Sequence, residues 1–224
     1  MNVNEVYKIV LYACSKNLQN GYISPDDFNQ VINQAQREYL DYLIGEYQKY
    51  QVGRPIAVVE NSNKEKIRNS IAPLIYNTIL SPNTTTGIAP YPSDYEISDT
   101  MWTLYGYYNI RFIGQPRLSS FYNSFIDPIA TNPVYLLEHE GFRFFPPDIG
   151  GAKLGYIRTP PSIVWGYNLD SNGIPTWNPA TSQNPVWSDT DMMNIIVRAL
   201  QIIGVNLDSN SVSQFAAQIK NLGQ

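Results

Sequence analysis

Three short runs of strand-forming residues between Pro133 and Trp165, separated by turn-forming residues, constrain the fold of this chain most strongly. The first run, Tyr135 to Glu140, alternates between two faces with the period of two that a β-strand requires. Gly141 then permits a tight reversal of the backbone. The second run, Phe142 to Phe145, ends at Pro146-Pro147, because proline has no N–H to donate to a strand ladder.

The third run, Ala152 to Arg158, follows a turn over Asp148 to Gly151 and ends at Thr159-Pro160-Pro161. Consecutive strands joined by short turns form an antiparallel meander in the simplest topology. We therefore predict a meander over about residues 133–165, and no part of it has the pattern of an active site.

Two amphipathic helices are predicted at the amino-terminal end. The first is capped by Asn4 and ends at Asn20-Gly21. The second begins at Ser24-Pro25-Asp26-Asp27, where a serine cap, a first-turn proline and acidic side chains suit the free N–H groups, and it continues to about Gln51. Apolar residues recur at helical spacing, namely Tyr7, Val10, Leu11, Cys14 and Leu18, and then Phe28, Val31, Ile32, Ala35, Tyr39 and Leu43.

The middle of the chain is less periodic. Residues 52–69 are mixed in polarity, and we predict a linker or docking arm there. Ile67 to Leu80 can begin as a short helix, which Pro73 interrupts. Met101 to Ile113 is rich in aromatic residues, which favours a strand.

A second helix pair is predicted at the carboxyl-terminal end. Ser188 or Asp189 caps the first of these helices, and Gly204 ends it. Asp208 or Ser209 starts the last helix. The predicted buried residues are Met192, Met193, Ile196, Ala199, Leu200 and Ile203, and then Val212, Phe215, Ala216 and Ile219.

These elements predict an α+β fold. Residues 1–80 and 185–224 form a helical part in which the terminal helix pairs pack as a bundle. Residues 81–184 form a central antiparallel β part with long loops. A chain of 224 residues is long enough for such a two-part molecule.

The composition indicates a polar surface that carries few charges. Charged residues make up 15% of the chain, against roughly 25% in typical soluble domains, and there are 17 tyrosines. Surfaces of this kind are typical of interfaces, because aromatic rings bury area at a low entropic cost. The net charge of −4, with no cluster of Lys and Arg, disfavours tight nucleic-acid binding.

The residues needed for catalysis or metal binding are sparse. His139 is the only histidine, and the strand pattern directs Glu138 and Glu140 to the opposite face, so no relay forms around it. Glu138 and Glu140 have the spacing of a glycosidase pair, but exposed acids near a hairpin are commonplace. The single cysteine, Cys14, lies on an apolar helix stripe and is predicted to be a core residue. Asp170 to Gly173 is predicted to be a turn and not a calcium loop.

Several fragments spread over the chain together resemble a family of virion structural proteins from tailed phages of gut Bacteroides, including the crAss-like podophages. The resemblance extends more loosely to the ring-forming adaptors between portal and tail in short-tailed phages. The fragments are Gly21-Tyr22-Ile23-Ser24-Pro25-Asp26-Asp27-Phe28-Asn29 with Ala35-Gln36-Arg37-Glu38, Pro92-Ser93-Asp94-Tyr95, Pro133-Val134-Tyr135, Phe145-Pro146, Tyr156-Ile157-Arg158-Thr159-Pro160-Pro161 and Gly204-Val205-Asn206-Leu207-Asp208.

The resemblance implies a ring-forming head-to-tail connector, or tail ring subunit, without catalytic activity. Its partners are then other copies in a dodecameric ring, the portal protein, other tail ring or tube proteins, and phage DNA that passes through the channel without sequence-specific binding. The expected location is the virion tail or neck, after assembly in the host bacterial cytoplasm. No membrane span, cofactor, metal or catalytic residue is expected.

Large aromatic side chains in loops are the candidate subunit-interface residues, because such rings seldom stay exposed. The candidates are Trp102, Tyr105, Tyr107, Tyr108, Trp177 and Trp187.

Two alternative functions stay open beside the ring subunit. One is a tail-associated glycan-binding module that uses these rings, and the other is a tail-borne hydrolase built on Glu138 and Glu140.

Overall fold

The computed structural model describes residues 1–17, 22–48, 58–122 and 127–206. The chain forms two compact units. The first unit takes its residues from Met1–Pro73 and Pro160–Gln224, and the second is Leu74–Thr159. The helices are α1 (Val3–Asn17), α2 (Pro25–Gln48), α3 (Val58–Ile71), α4 (Gln115–Tyr122) and α5 (Asp189–Asn206).

Helix α2 forms as the sequence predicts. The Ser24 hydroxyl accepts a hydrogen bond from the Asp27 N–H at 3.1 Å and donates one to the Asp27 carboxylate at 2.6 Å. This arrangement caps the helix, with Pro25 in the first turn. All six predicted face residues are buried, namely Phe28, Val31, Ile32, Ala35, Tyr39 and Leu43. Helix α2 packs through this face mainly against α5.

Three amide side chains of α2 bind the backbone of an extended segment, residues 161–165. Asn29 accepts from the Trp165 N–H at 2.7 Å and donates to its carbonyl at 3.3 Å. Asn33 does the same with Ile163, at 2.8 and 2.7 Å. Gln36 donates to the Pro161 carbonyl at 3.2 Å. Side chains of α2 therefore bind this segment in the way that a neighbouring strand would. We call this set of side-chain hydrogen bonds the amide ladder.

Helix α1 begins at Val3, and its cap, Asn2, lies two residues before the predicted one. The Asn2 side chain accepts from the Glu5 N–H at 2.8 Å, and the Glu5 carboxylate accepts from the Asn2 N–H at 2.9 Å. These two bonds form a capping box, so the assignment of the cap to Asn4 is wrong. The Asn4 side chain instead accepts a hydrogen bond from the Trp165 indole at 3.2 Å.

Helix α5 is capped by Ser188, whose hydroxyl accepts from the Asp191 N–H at 3.2 Å. Its buried face includes the predicted Met192, Ile196, Ala199, Leu200 and Ile203, together with Ile195. Met193 is 47% exposed, so its assignment to this face is wrong. Gly204 does not end the helix, which continues to Asn206. The predicted last helix lies outside the described residues.

Residues 58–71 correct the prediction of a linker over 52–69. They form helix α3, which packs against α2. Its sequence is polar and lacks an apolar stripe, so the helical period is absent from the sequence pattern. Ala72–Leu74 then form a 3₁₀ turn before the first strand.

The second unit contains two sheets. The first has the order β1-β7-β3 and the second β2-β6-β5-β4, and every pairing is antiparallel except β4 with β5. The strands are β1 (Ile75–Leu80), β2 (Ile88–Ala89), β3 (Tyr95–Thr103), β4 (Arg111–Phe112), β5 (Val134–Glu138), β6 (Gly141–Phe145) and β7 (Ala152–Arg158). A small hairpin of the first unit adds β8 (Tyr167–Leu169) and β9 (Pro175–Trp177).

The predicted meander is only partly correct. Strands β5 and β6 pair as a hairpin with a two-residue turn, His139-Glu140. Strand β7 does not pair with β6, because it lies between β1 and β3 in the other sheet. Pro146 and Pro147 lack the N–H groups needed to continue the ladder, and β1 and β3 provide the longer partners.

The long aromatic strand predicted over residues 101–113 is also only partly correct. Strand β3 ends at Thr103, and the tyrosines that follow form a turn. The core of the second unit lies behind these strands and includes Met101, Tyr135, Phe142, Phe144, Leu154 and Tyr156.

Five helices and mainly antiparallel sheets in the described part of the chain confirm the mixed α+β class. The packing of the two terminal helix pairs as one bundle is not confirmed. Residues 207–224, which were predicted to supply half of the carboxyl-terminal pair, lie outside the described residues.

We expect Asn33→Asp to lower the free energy of unfolding by about 1–3 kcal/mol, because the carboxylate loses the donor to the Ile163 carbonyl. Below about pH 4 the carboxyl group introduced by the substitution is protonated and can donate again, so the loss of unfolding free energy becomes smaller. Gln30→Glu is the control, since it adds the same charge at an exposed position of α2. Chemical denaturation measures the free energy of unfolding of both variants. Equal effects of the two substitutions would contradict a stabilising role of the amide ladder.

Candidate interaction surfaces

The structure places the six candidate interface residues in different environments. Tyr105, Tyr107 and Tyr108 are 74%, 80% and 43% exposed. Trp177 is 40% exposed, and Trp102 is half-buried. Trp187 is 4% exposed and donates its indole N–H to Gln36 at 3.2 Å. Trp187 therefore belongs to the core of the first unit and is not available for a contact between subunits.

Residues 103–108 form a projecting turn that we call the tyrosine tip. Thr103 is 2% exposed, and its side chain holds the backbone of the turn through two hydrogen bonds. Its hydroxyl donates to the Tyr105 carbonyl at 2.8 Å and accepts from the Tyr108 N–H at 3.0 Å. The backbone N–H of Leu104 donates to the Gly151 carbonyl at 3.0 Å. The exposed rings are thus mounted on a fixed backbone.

Tyr107 has a backbone conformation that tyrosine rarely adopts. Its φ is 55°, in the left-handed region, and it is the only non-glycine residue with positive φ in the part of the chain that the structure describes. Such a conformation costs a residue with a Cβ about 1–2 kcal/mol, and asparagine tolerates it better. A bulky ring at this exposed position therefore does not serve the turn itself.

A second aromatic surface lies within the first unit, and we call it the aromatic groove. It is an open concavity of about 590 Å³ between α1, Tyr22 and the β8–β9 hairpin. The side chains that line it are mainly aromatic or aliphatic, and they include one cation and no carboxylate. They are Asn4, Tyr7, Lys8, Leu11, Tyr22, Trp165, Ile174, Pro175 and Trp177.

The floor of the groove is a stack of rings. The Tyr7 and Trp165 rings lie 4.2 Å apart at 25°, and the Tyr167 ring also stacks on Trp165, with the ring centroids 5.9 Å apart. The Tyr7 hydroxyl donates to the Ile23 carbonyl at 3.3 Å. Burial, followed by the nearby Tyr22 phenol, raises the pKa of Tyr7 to about 12. The amide ladder holds the Trp165 backbone, so it also fixes this stack.

The β8–β9 hairpin forms one wall of the groove. Its turn is held by Asp170, whose carboxylate accepts from the N–H groups of Asn172 and Ile174 at 2.8 and 2.9 Å. This confirms the predicted turn. The Trp177 indole donates to the Ser182 hydroxyl at 3.0 Å, which fixes the exposed ring. Among the six candidates, only Trp177 contributes to the groove.

The sequence selected the three tyrosines of the tip as interface candidates but placed them in a strand, and it did not indicate the groove. Tyr7 was recognised only as an apolar helix residue, and Trp165 only as the end of the strand region. The signal that was available is the asparagine spacing of Asn29 and Asn33, four residues apart on one helix face. It gives no indication of which distant segment these amides bind.

The residues considered for catalysis are arranged differently from the prediction. Glu138 forms an ion pair with Arg143 of β6 at 3.2 Å, and Glu140 lies in the turn and not on the strand. Cys14 is buried, and desolvation raises the pKa of its thiol. Within the described ranges, no three His, Cys, Asp or Glu side chains are grouped as metal ligands.

Comparisons with known proteins do not assign this chain to a group. No protein-family model matches the sequence, and no curated protein matches it either. In the described ranges, none of the helices combines the length and the hydrophobicity needed to cross a bilayer.

We expect Tyr107→Asn to raise the free energy of unfolding by up to about 1 kcal/mol, because asparagine accommodates the left-handed backbone. Tyr105→Asn is the matched control at a position without positive φ, and it should change stability by less than about 0.5 kcal/mol. Chemical denaturation at low protein concentration measures both. A marked destabilisation by Tyr107→Asn would mean that this ring supports the fold.

We expect stability to fall as the pH rises from about 10 to 12. The unfolded Tyr7 ionises near pH 10 while the folded one stays neutral until about pH 12, so the folded state loses up to about 1.4 kcal/mol per pH unit. Tyr7→Phe should flatten this slope, whereas Tyr105→Phe, at an exposed position, should not. Denaturation midpoints at pH 9 and 11 provide the test. If the dependence of stability on pH is the same in Tyr7→Phe as in the wild type, the ionisation of Tyr7 is not its cause.

Proposed function

We propose that this chain is a phage virion structural protein, the subunit of a head-to-tail connector or tail ring that links the portal to the tail around the DNA exit channel. The observation that carries the proposal is the tyrosine tip, which presents three exposed rings on a hydrogen-bonded turn. Rigid tyrosines are efficient interface residues, because they bury a large area with little loss of side-chain entropy. The resemblance of the sequence fragments to virion proteins supplies the biological setting.

The charge distribution suits this role. A net charge of −4 with few charged residues disfavours tight binding of a phosphate backbone, so DNA can pass without being held. We propose that the helical part docks toward the portal, with the terminal helix pairs as a bundle, and that the other copies and tail proteins cover the tyrosine-rich surfaces. The protein then resides in the virion tail or neck.

We also propose that the protein has no catalytic activity. A retaining or inverting glycosidase needs two carboxyl groups free to act as acid and as base or nucleophile. Glu138 is engaged by Arg143, and Glu140 belongs to the neighbouring turn. These positions support a hairpin that stabilises the fold rather than a hydrolytic pair.

We expect the purified chain to form closed rings in negative-stain electron microscopy and to co-purify with the portal protein when the two are produced together. A ring requires that each subunit bind its neighbours through two different surfaces. Mass spectrometry of mature particles should detect the protein in stoichiometric amounts. A stable monomer that is absent from particles would contradict the proposal, and glycan-array binding by such a monomer would favour the glycan-binding alternative.

A further inference from the structure

Two aromatic surfaces of opposite shape are left uncovered by the described residues of this chain. The tyrosine tip is convex and belongs to the second unit, and the aromatic groove is concave and belongs to the first. A cyclic assembly joins unlike surfaces of successive copies, whereas two convex tips cannot bury each other well. We infer that the tyrosine tip of one copy inserts into the aromatic groove of the next copy. This inference rests on the proposed ring assembly.

The size of the groove suits this occupant. A volume of about 590 Å³ lies within the range of pockets that enclose a compact group of side chains. Tyr22, Ile174 and Trp177, at 60%, 57% and 40% exposure, are the most exposed aromatic or aliphatic side chains of the lining, so they lose the most water when the groove is filled. Tyr105 and Tyr107, the most exposed rings of the tip, are the matching apolar surface.

The electrostatic properties of the two surfaces are compatible. Residues 103–109 of the tip carry no charge, and their ring faces are electron-rich. The groove contains the Lys8 ammonium group and no carboxylate. A tyrosine ring beside Lys8 gains a cation–π contact, and its hydroxyl can accept a hydrogen bond from Lys8 or from the Asn4 amide. A basic occupant would be repelled by Lys8, and an acidic one would pair with Lys8 without stacking on the aromatic floor of the groove.

Both surfaces are fixed before they meet. Thr103 holds the backbone of the tip, and Ser182 holds the Trp177 ring of the groove. Contacts between preorganised groups cost less ordering on binding, so more of the buried area contributes to affinity. The unfavourable φ of Tyr107 is then accounted for by its contact with the neighbouring copy.

The test uses the full chain with one defective surface at a time. The tip variant carries Tyr105→Ser and Tyr107→Asn, and the groove variant carries Ile174→Glu, all at exposed positions. Ile79→Ser and Met193→Glu are the controls, since both residues are exposed and lie outside the two surfaces. Sedimentation velocity gives the mass of each protein alone and of an equimolar mixture of the tip and groove variants. Circular dichroism checks that each variant is folded.

We expect the wild type and both controls to assemble, and the tip and groove variants to associate at least about thirtyfold more weakly. Their mixture should form a dimer and nothing larger, because only one intact tip and one intact groove remain to pair. Variants that assemble like the wild type overturn this contact and leave the ring proposal standing. A mixture that stays monomeric also overturns it. A monomeric wild type overturns both, and oligosaccharide binding lost in the groove variant would then assign the groove to a glycan.

Discussion

The first unit depends on a match between the repeat of a helix and the repeat of an extended chain. Positions four apart on α2 are separated by about 6.0 Å, and positions two apart in the segment 161–165 by about 6.6 Å. Asn29 and Asn33 can therefore each serve one residue, Trp165 and Ile163. The other edge of the segment is satisfied at Val164, which bonds Gln183 in both directions. This match positions Trp165, and with it the floor of the aromatic groove.

The second unit depends on β7, the strand with a partner on each side. Gly155, at its middle, faces Thr100 and Asn77, and a Cβ there would lie 2.5 Å from the Thr100 hydroxyl. The three strands can approach at this point because the residue has no side chain. Strand β3 extends from this sheet directly into Thr103, which holds the tyrosine tip. The exposed tip is therefore anchored in the best-connected part of the unit.

Both interaction surfaces follow the same design. At each surface, polar side chains fix the conformation of a backbone segment through hydrogen bonds. Aromatic rings carried by that segment or packed beside it stay exposed. Thr103 has this role at the tip, and the amide ladder has it at the groove. Aromatic rings displayed on rigid supports are suited to association with another protein surface, and they require no charged or catalytic group. The proposed structural role in a ring uses both surfaces without any chemical step.

The sequence by itself determined the features that depend on neighbouring residues. Ser24 and Ser188 cap their helices, the period of α2 gives its buried face, and Gly173 with Asp170 gives a turn, because each interaction spans only a few positions. Only the tertiary structure decided the partners of β7, the helical state of 58–71, the burial of Trp187 and the groove around Trp165. These depend on which distant segments meet, and a strand ladder or an amide side chain is satisfied equally well by many backbones.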